Sequence, residues 1–326
     1  MSSQRLGAHC WIKHENHTPV GAFKIRGGLT YFEALRASGT LPQEVVSATR
    51  GNHGQSIGWA ARAHGVACTI VVPRGNSLGK NAAMRALGVS LVEHGDEFQD
   101  AREHAAALAA ERGAHRVPSF HKNLVCGVAT YWWEFFKAVP HMDVTYVPIG
   151  MGSGAAAAIQ VKLALSHRAE IVGVVSAHAT SYADSIAAGR VLAAPVTTRL
   201  ADGMACRMAD PAALSVLAPH LARIVQVTDA EVADAMRHLC MPTPTMWPRA
   251  QAPPALPPPC RNAPRCKARR LASRCAAAMW MPMCWRGCWR ISGFEFSALI
   301  GSQQPAPLQS THPAAGAVRP RRAAAG

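Results

Sequence analysis

Between residues 66 and 239, short β-branched apolar runs alternate with stretches of helical periodicity, and near residue 240 the alternation stops. The runs at 66–73, 89–93, 143–149, 171–176 and 224–227 are predicted as buried strands. The stretches at 53–64, 79–87, 97–112, 153–167 and 229–239 are predicted as helices, the last capped by Thr228 ahead of Asp229 and Glu231. Strands separated by whole helices cannot pair as tight hairpins. They predict an α/β fold with a parallel sheet and right-handed crossovers. No internal repeat is visible.

Charge sharpens the break. The net charge of +15 is concentrated in residues 241–326, which hold twelve Lys and Arg against the single acid Glu295. Residues 1–240 carry only +4, so the basicity is a property of the tail and not a nucleic-acid footprint of the folded part. The tail also holds 14 of the 23 prolines and five of the ten cysteines, and neither strand nor helix periodicity persists in it. It is expected to be irregular or disordered. No run of about 18 apolar residues occurs, so no membrane span is expected. The start, MSSQRLGAHCWIKHENH, lacks an apolar leader, and ten cysteines without one predict reduced thiols in the cytoplasm. The histidines lack ligand spacing, so no metal site is expected.

Three segments carry chemistry. The first runs from Lys13 to Gly28, KHENHTPVGAFKIRGG, and sets Lys24 between an aromatic residue and a glycine pair. Taken alone, the lysine is equally a surface residue before a helix; its amine is also the group that forms a Schiff base with a carbonyl cofactor. The second, Ser47 to Ser56, reads SATRGNHGQS and leads into a helical pattern, as a plain Gly-Asn turn also would. The third, Val147 to Ala155, reads VPIGMGSGA directly after a strand and before a helix. A dinucleotide loop is its competitor, but that loop belongs early in a chain, as GxGxxG with an acid ~20 residues on. Small residues at a helix N-terminus suit a phosphate better, because consecutive backbone N–H groups point at one anion.

Together these segments resemble the fold-type II pyridoxal-phosphate enzymes, the tryptophan-synthase-β superfamily, over roughly residues 5–240. The nearest branch is the threonine (serine) dehydratases, with serine racemase as a related one. The resemblance implies a two-domain parallel-sheet fold, with residues 1–44 and 123–240 as a large cofactor-binding domain, 45–122 as a small domain and 241–326 as an aberrant tail. It implies that Lys24 bonds pyridoxal 5'-phosphate and later takes the substrate Cα proton. Asn52 meets the ring oxygen; Gly150, Met151, Gly152, Ser153 and Gly154 hold the phosphate; Gly51, Asn52 and His53 receive the substrate carboxylate. The stretches Lys80–Gly88 and Leu200–Cys206 also match the family, as a small-domain helix and a loop near the site. Arg50 stands where serine racemase has a second catalytic serine, which favours elimination over racemisation. The implied reaction converts threonine or serine to a 2-oxo acid and ammonia. The alternatives are an impaired remnant, a racemase and a hydroxyaspartate dehydratase. The expected partner is a small amino-acid substrate, with no nucleic acid and no membrane, and a homodimer stays open.

Two departures stand out. Fewer residues precede the lysine than in the family. The family's Ala/Gly-rich helix and its strand ending in Ser/Cys-Gly-Gly-Asn, whose first side chain meets the pyridine nitrogen, are absent after residue 240. Met and Trp have single codons, and a shift of one base lets the stretch from Cys240 read YADTHNVAEGAGAA and the stretch from Arg274 read LCGGNVDADVLARVLA. A frameshift near codon 240 is therefore expected, with Cys260, Cys266, Cys275, Cys284 and Cys288 accidental.

Overall fold

A computed structural model describes residues 8–240 and 271–273, which lie within one of the chain's two compact units, Met1–Trp285. The strands are β1 (Cys10–Ile12), β2 (Glu44–Ala48), β3 (Ala67–Val72), β4 (Ser90–Glu93), β5 (His115–Arg116), β6 (Val144–Pro148), β7 (Glu170–Ser176), β8 (Arg223–Val227) and β9 (Leu271–Ser273). They form two sheets, ordered β1-β9-β6-β7-β8 and β4-β3-β2-β5. Every strand pairing is parallel, as the alternation predicts.

The helices are α1 (Lys24–Ala37), α2 (Asn52–Ala63), α3 (Leu78–Arg85), α4 (Phe98–Arg112), α5 (Lys122–Ala138), α6 (Ser153–Ala164), α7 (Ser181–Ala188), α8 (Pro211–Leu217) and α9 (Asp229–Cys240). The four-stranded sheet is covered on both faces, and its strands show why. Side chains alternate across a strand, so Val45, Ile70 and Val72 face one cluster with Ile57 and Ala61 of α2, while Val46, Ala48 and Val71 face Ala101, Ala105 and Leu108 of α4. Helix α1, which the sequence places with the larger domain, lends Tyr31 and Phe32 to the first of these clusters. In the five-stranded sheet, Val144, Tyr146, Val172 and Val174 pack with Met204 and with Val232 of α9.

Thr228 caps α9 as expected: its hydroxyl accepts from Glu231 N–H at 3.3 Å, and the Glu231 carboxylate accepts from Thr228 N–H at 2.9 Å. One expectation needs correction. The sequence predicts no strand in the tail, yet Leu271–Ser273 lies between β1 and β6, parallel to both. The physical reason is that an open slot there would leave two rows of backbone groups unpaired inside a sheet. The other expectations for 241–326 fall outside the described residues.

Candidate active site

Lys24 is the first residue of α1, and the chain before it is held tightly. Thr18 Oγ1 donates to the Ala22 carbonyl at 2.9 Å and accepts from the Ala22 N–H at 2.8 Å. Arg26, two residues along, donates through Nε and Nη2 to both oxygens of the buried Glu15, each at 2.9 Å, and through Nη1 to Glu134 at 2.7 Å. Lys13 bridges the same two carboxylates at 3.2 and 2.7 Å. A bidentate Arg–carboxylate pair fixes orientation as well as distance, so the start of α1 has one pose. Ser56 Oγ on α2 donates to the Lys24 carbonyl at 2.6 Å and ties the second motif to the first.

The glycine-rich turn follows β6. Gly152 sits at φ +88, a left-handed conformation that L side chains resist. A Cβ on Gly150 would stand 2.2 Å from the Gly203 carbonyl oxygen, so only glycine fits there. Ser153 opens α6, and its Oγ accepts a 2.8 Å hydrogen bond from Lys24 Nζ. The indole N–H of the fully buried Trp132 donates to the Gly154 carbonyl at 2.9 Å and anchors the helix start onto α5. The first-turn N–H groups of α6 have no carbonyl four residues back, and the helix dipole adds positive character there.

The Asn52 loop follows β2. The His53 ring is buried, and its Nε2 lies 3.2 Å from Ser47 Oγ. That hydroxyl spends its own proton on the Val117 carbonyl at 2.8 Å, so the histidine is the donor, protonated on Nε2. Burial, reinforced by the Lys24 charge, pushes the His53 pKa down to about 3, so the ring is neutral near pH 7. It pins α2 to the sheet and is not an acid–base group. The Gly51 N–H donates to Thr49 Oγ1 at 2.8 Å.

All nine residues singled out in the sequence line one cavity of about 130 Å³: Lys24, Gly51, Asn52, His53 and Gly150 to Gly154. The loop Asp202–Cys206 closes it, and Lys80 of α3 is bonded to Asp202 across its edge. Burial pushes the Cys206 thiol up to about 11, opposed by the charges of Lys24, Arg50 and Arg102, so it is a thiol near neutrality. Cys206 Sγ lies 3.5 Å from Met151 Sδ, which explains how methionine is tolerated inside the glycine run: its side chain turns onto the thiol, leaving the backbone to act. Phe98 and Ser119 also line the cavity and have no signal in the sequence. Among the described residues no cluster of three or more His, Cys, Asp or Glu could hold a metal ion, and no helix is long and apolar enough to cross a membrane.

An aldehyde-bearing phosphate ester fits these residues. Lys24, Asn52 and the glycine-rich turn at the start of α6 line one space. The chain belongs to the pyridoxal-phosphate dependent enzyme family, whose model matches residues 2–243. It is 33% identical over 236 residues to the L-threonine ammonia-lyase of Geobacter sulfurreducens, covering 72% of this chain and 58% of that one. It is 27% identical over 240 residues to the L-threo-3-hydroxyaspartate ammonia-lyase of Saccharomyces cerevisiae, covering 73% of each. Its fold superposes on the T.th. threonine deaminase with a TM-score of 0.74 at 25% identity, over 86% of this chain and 91% of that one. The chain thus spans less than two thirds of the length of the threonine ammonia-lyase it matches.

Proposed function

We propose that this chain removes water from a β-hydroxy amino acid, threonine or serine, and releases a 2-oxo acid and ammonia. The observation that carries the reading is the position of Lys24 Nζ, 2.8 Å from the side chain that opens the phosphate cradle and in one cavity with Asn52. Pyridoxal phosphate, when bound, supplies the electron sink for negative charge at the substrate Cα. Lys24 Nζ would be its attachment point and, as a free amine, the base that takes the Cα proton. Ser153 Oγ holds that nitrogen in place. The first turn of α6 binds the phosphate, Asn52 orients the ring, and the first turn of α2 receives the substrate carboxylate.

Elimination is favoured over racemisation by what faces the amine. A racemase needs a second acid on the opposite side of Cα. Here the His53 ring is neutral and committed to Ser47, and Arg50 occupies the loop position of the second serine. The printed activities of the Geobacter and yeast relatives support elimination from a hydroxy amino acid. The two sheets support two lobes, near 45–122 and near 1–44 with 123–240. The free thiols of Cys10, Cys68, Cys126 and Cys206 support a cytoplasmic enzyme. A homodimer is the assembly to test by sedimentation.

The test is borohydride reduction of the full chain after incubation with pyridoxal phosphate, followed by peptide mapping. A pyridoxyl group on Lys24 that disappears in Lys24→Ala is expected, together with oxo-acid formation from threonine. An adduct without oxo acid identifies an impaired remnant. No adduct at Lys24 overturns the reading.

A further inference from the structure

Among the described residues, Arg50 is a charge with no carboxylate partner. It lies in the turn between β2 and α2 and is the one arginine on the cavity wall among the described residues. Among the described residues its Nε is buried without a hydrogen-bond partner. Elsewhere partly buried arginines meet carboxylates: Arg26 meets Glu15 and Glu134, and Arg102 meets Asp210. The one acid on the cavity wall among the described residues, Asp202, is already engaged by Lys80. Desolvating a guanidinium face without an acceptor is costly, and native folds rarely leave it so. The missing partner is therefore an anion supplied by a ligand.

Three anionic groups compete for that place. The cofactor phosphate has the first turn of α6, and the substrate α-carboxylate has the first turn of α2. A third anion is left for Arg50, which shares the cavity wall with Lys24 and Cys206. A planar guanidinium binds a carboxylate with two parallel hydrogen bonds, which a point-charge lysine cannot copy.

We propose that Arg50 binds a second carboxylate carried on the substrate β-carbon, so that the preferred substrate is a 3-hydroxy dicarboxylic amino acid and threonine is a poorer one. The inference rests on the elimination reading above and names its substrate class. The chemistry balances. Cα–H and Cβ–O break and water leaves; the resulting enamine tautomerises to an imine and takes up one water, giving oxaloacetate and ammonia from 3-hydroxyaspartate. Threonine presents a methyl group to the guanidinium and leaves it unpaired. Sites built to bond a polar group reject the analogue that lacks it, here by about 100-fold or more in kcat/KM.

Two measurements on the full chain test this. Oxo-acid formation from threo-3-hydroxyaspartate and from threonine is compared in the wild type, Arg50→Met and Arg50→Lys, with the ratio of the two rates expected to collapse in Arg50→Met and to recover in part in Arg50→Lys. Calorimetry with succinate and butyrate needs no turnover. Succinate is expected to bind at least about tenfold more tightly to the wild type, with parity in Arg50→Met and partial recovery in Arg50→Lys. Equal wild-type affinities overturn the proposal. An equal loss of both ligands in Arg50→Met also overturns it, assigning Arg50 to the α-carboxylate. Loss of pyridoxal-phosphate affinity with discrimination intact assigns it to the phosphate and overturns it too. If Arg50→Met does not fold, the wild-type ratio and Arg50→Lys decide. Absence of a Lys24 adduct with succinate selectivity intact sinks the elimination reading and leaves the carboxylate site standing.

Discussion

Glu15 lies between two cations, Lys13 and Arg26, and it is buried where they are partly exposed. Removing a carboxylate from such a cluster strands charge that has already lost its water. Glu15→Ala is expected to cost about 2–3 kcal/mol in urea unfolding and to slow borohydride-trapped labelling of Lys24, because the segment before α1 loses its anchor. His53 sets a different test. Its folded pKa of about 3 lies below the ordinary value of 6.5. The unfolded chain therefore binds the extra proton between these values, and stability is full above pH 6.5 and falls as pH drops toward 3. Between pH 7.5 and pH 5 this residue alone is expected to remove about 2 kcal/mol, and His14, lowered to about 4 by burial, acts in the same sense. Urea unfolding of His53→Gln at both pH values is expected to show that much less change; an unaltered slope shows that the ring is not held neutral. At this scale the sequence is highly legible. Backbone chemistry demands particular residue types, so Lys24, Asn52 and the run from Gly150 to Gly154 announce themselves. Phe98 and Ser119 do not, because a cavity wall asks only for shape.

The elements that present these residues are helix starts, and the glycine turn before α6 is the most constrained. Gly152→Ala forces a Cβ into a left-handed conformation and to within 2.8 Å of the Ala213 side chain. About 1–2 kcal/mol of stability is expected to be lost, with a weaker pyridoxal-phosphate titration because the first-turn N–H groups rotate away from their shared focus. Thermal unfolding and a cofactor titration check the two effects separately; an unchanged cofactor affinity shows that the turn does not hold the phosphate. The elements themselves are unevenly legible. Strands β3, β6 and β7 show in the sequence because largely buried strands are continuous apolar runs, and the more exposed β4 and β8 show by their apolar pairs Leu91-Val92 and Ile224-Val225. Helices α1 and α5 escape it for opposite reasons. Helix α1 carries Gly27 and Gly28, which weaken a helical signal. Helix α5, KNLVCGVATYWWEFFKA, buries residues from Leu124 to Phe136 on one side but carries Cys126 and Trp133 on its half-buried other side, which blurs the apolar stripe.

For the whole molecule, the deciding element is the slot between β1 and β6. It is filled from beyond residue 243, where the family match ends, by Leu271–Ser273. Ser273 pairs with Tyr146, two residues before β6 ends at Pro148. Ligands of parallel α/β sheets sit at the carboxyl ends of the strands, the end at which β6 meets the glycine turn. In the frame shifted by one base, the codons from Arg274 can read Leu-Cys-Gly-Gly-Asn, which resembles the family strand end that meets the pyridine nitrogen. The in-frame tail supplies Arg274, Cys275 and alanines instead. The encoding DNA is therefore expected to show a one-base shift near codon 240, with both family-like stretches in a single restored frame. The restored protein is expected to bind pyridoxal phosphate at least about tenfold more tightly, the scale of one charge-assisted hydrogen bond to the ring. Sequencing decides the first part: if no single shift yields both stretches, the tail is a native sequence of its own. Titration decides the second, since equal affinity in the two proteins shows that β9 does not lead a ligand to the ring.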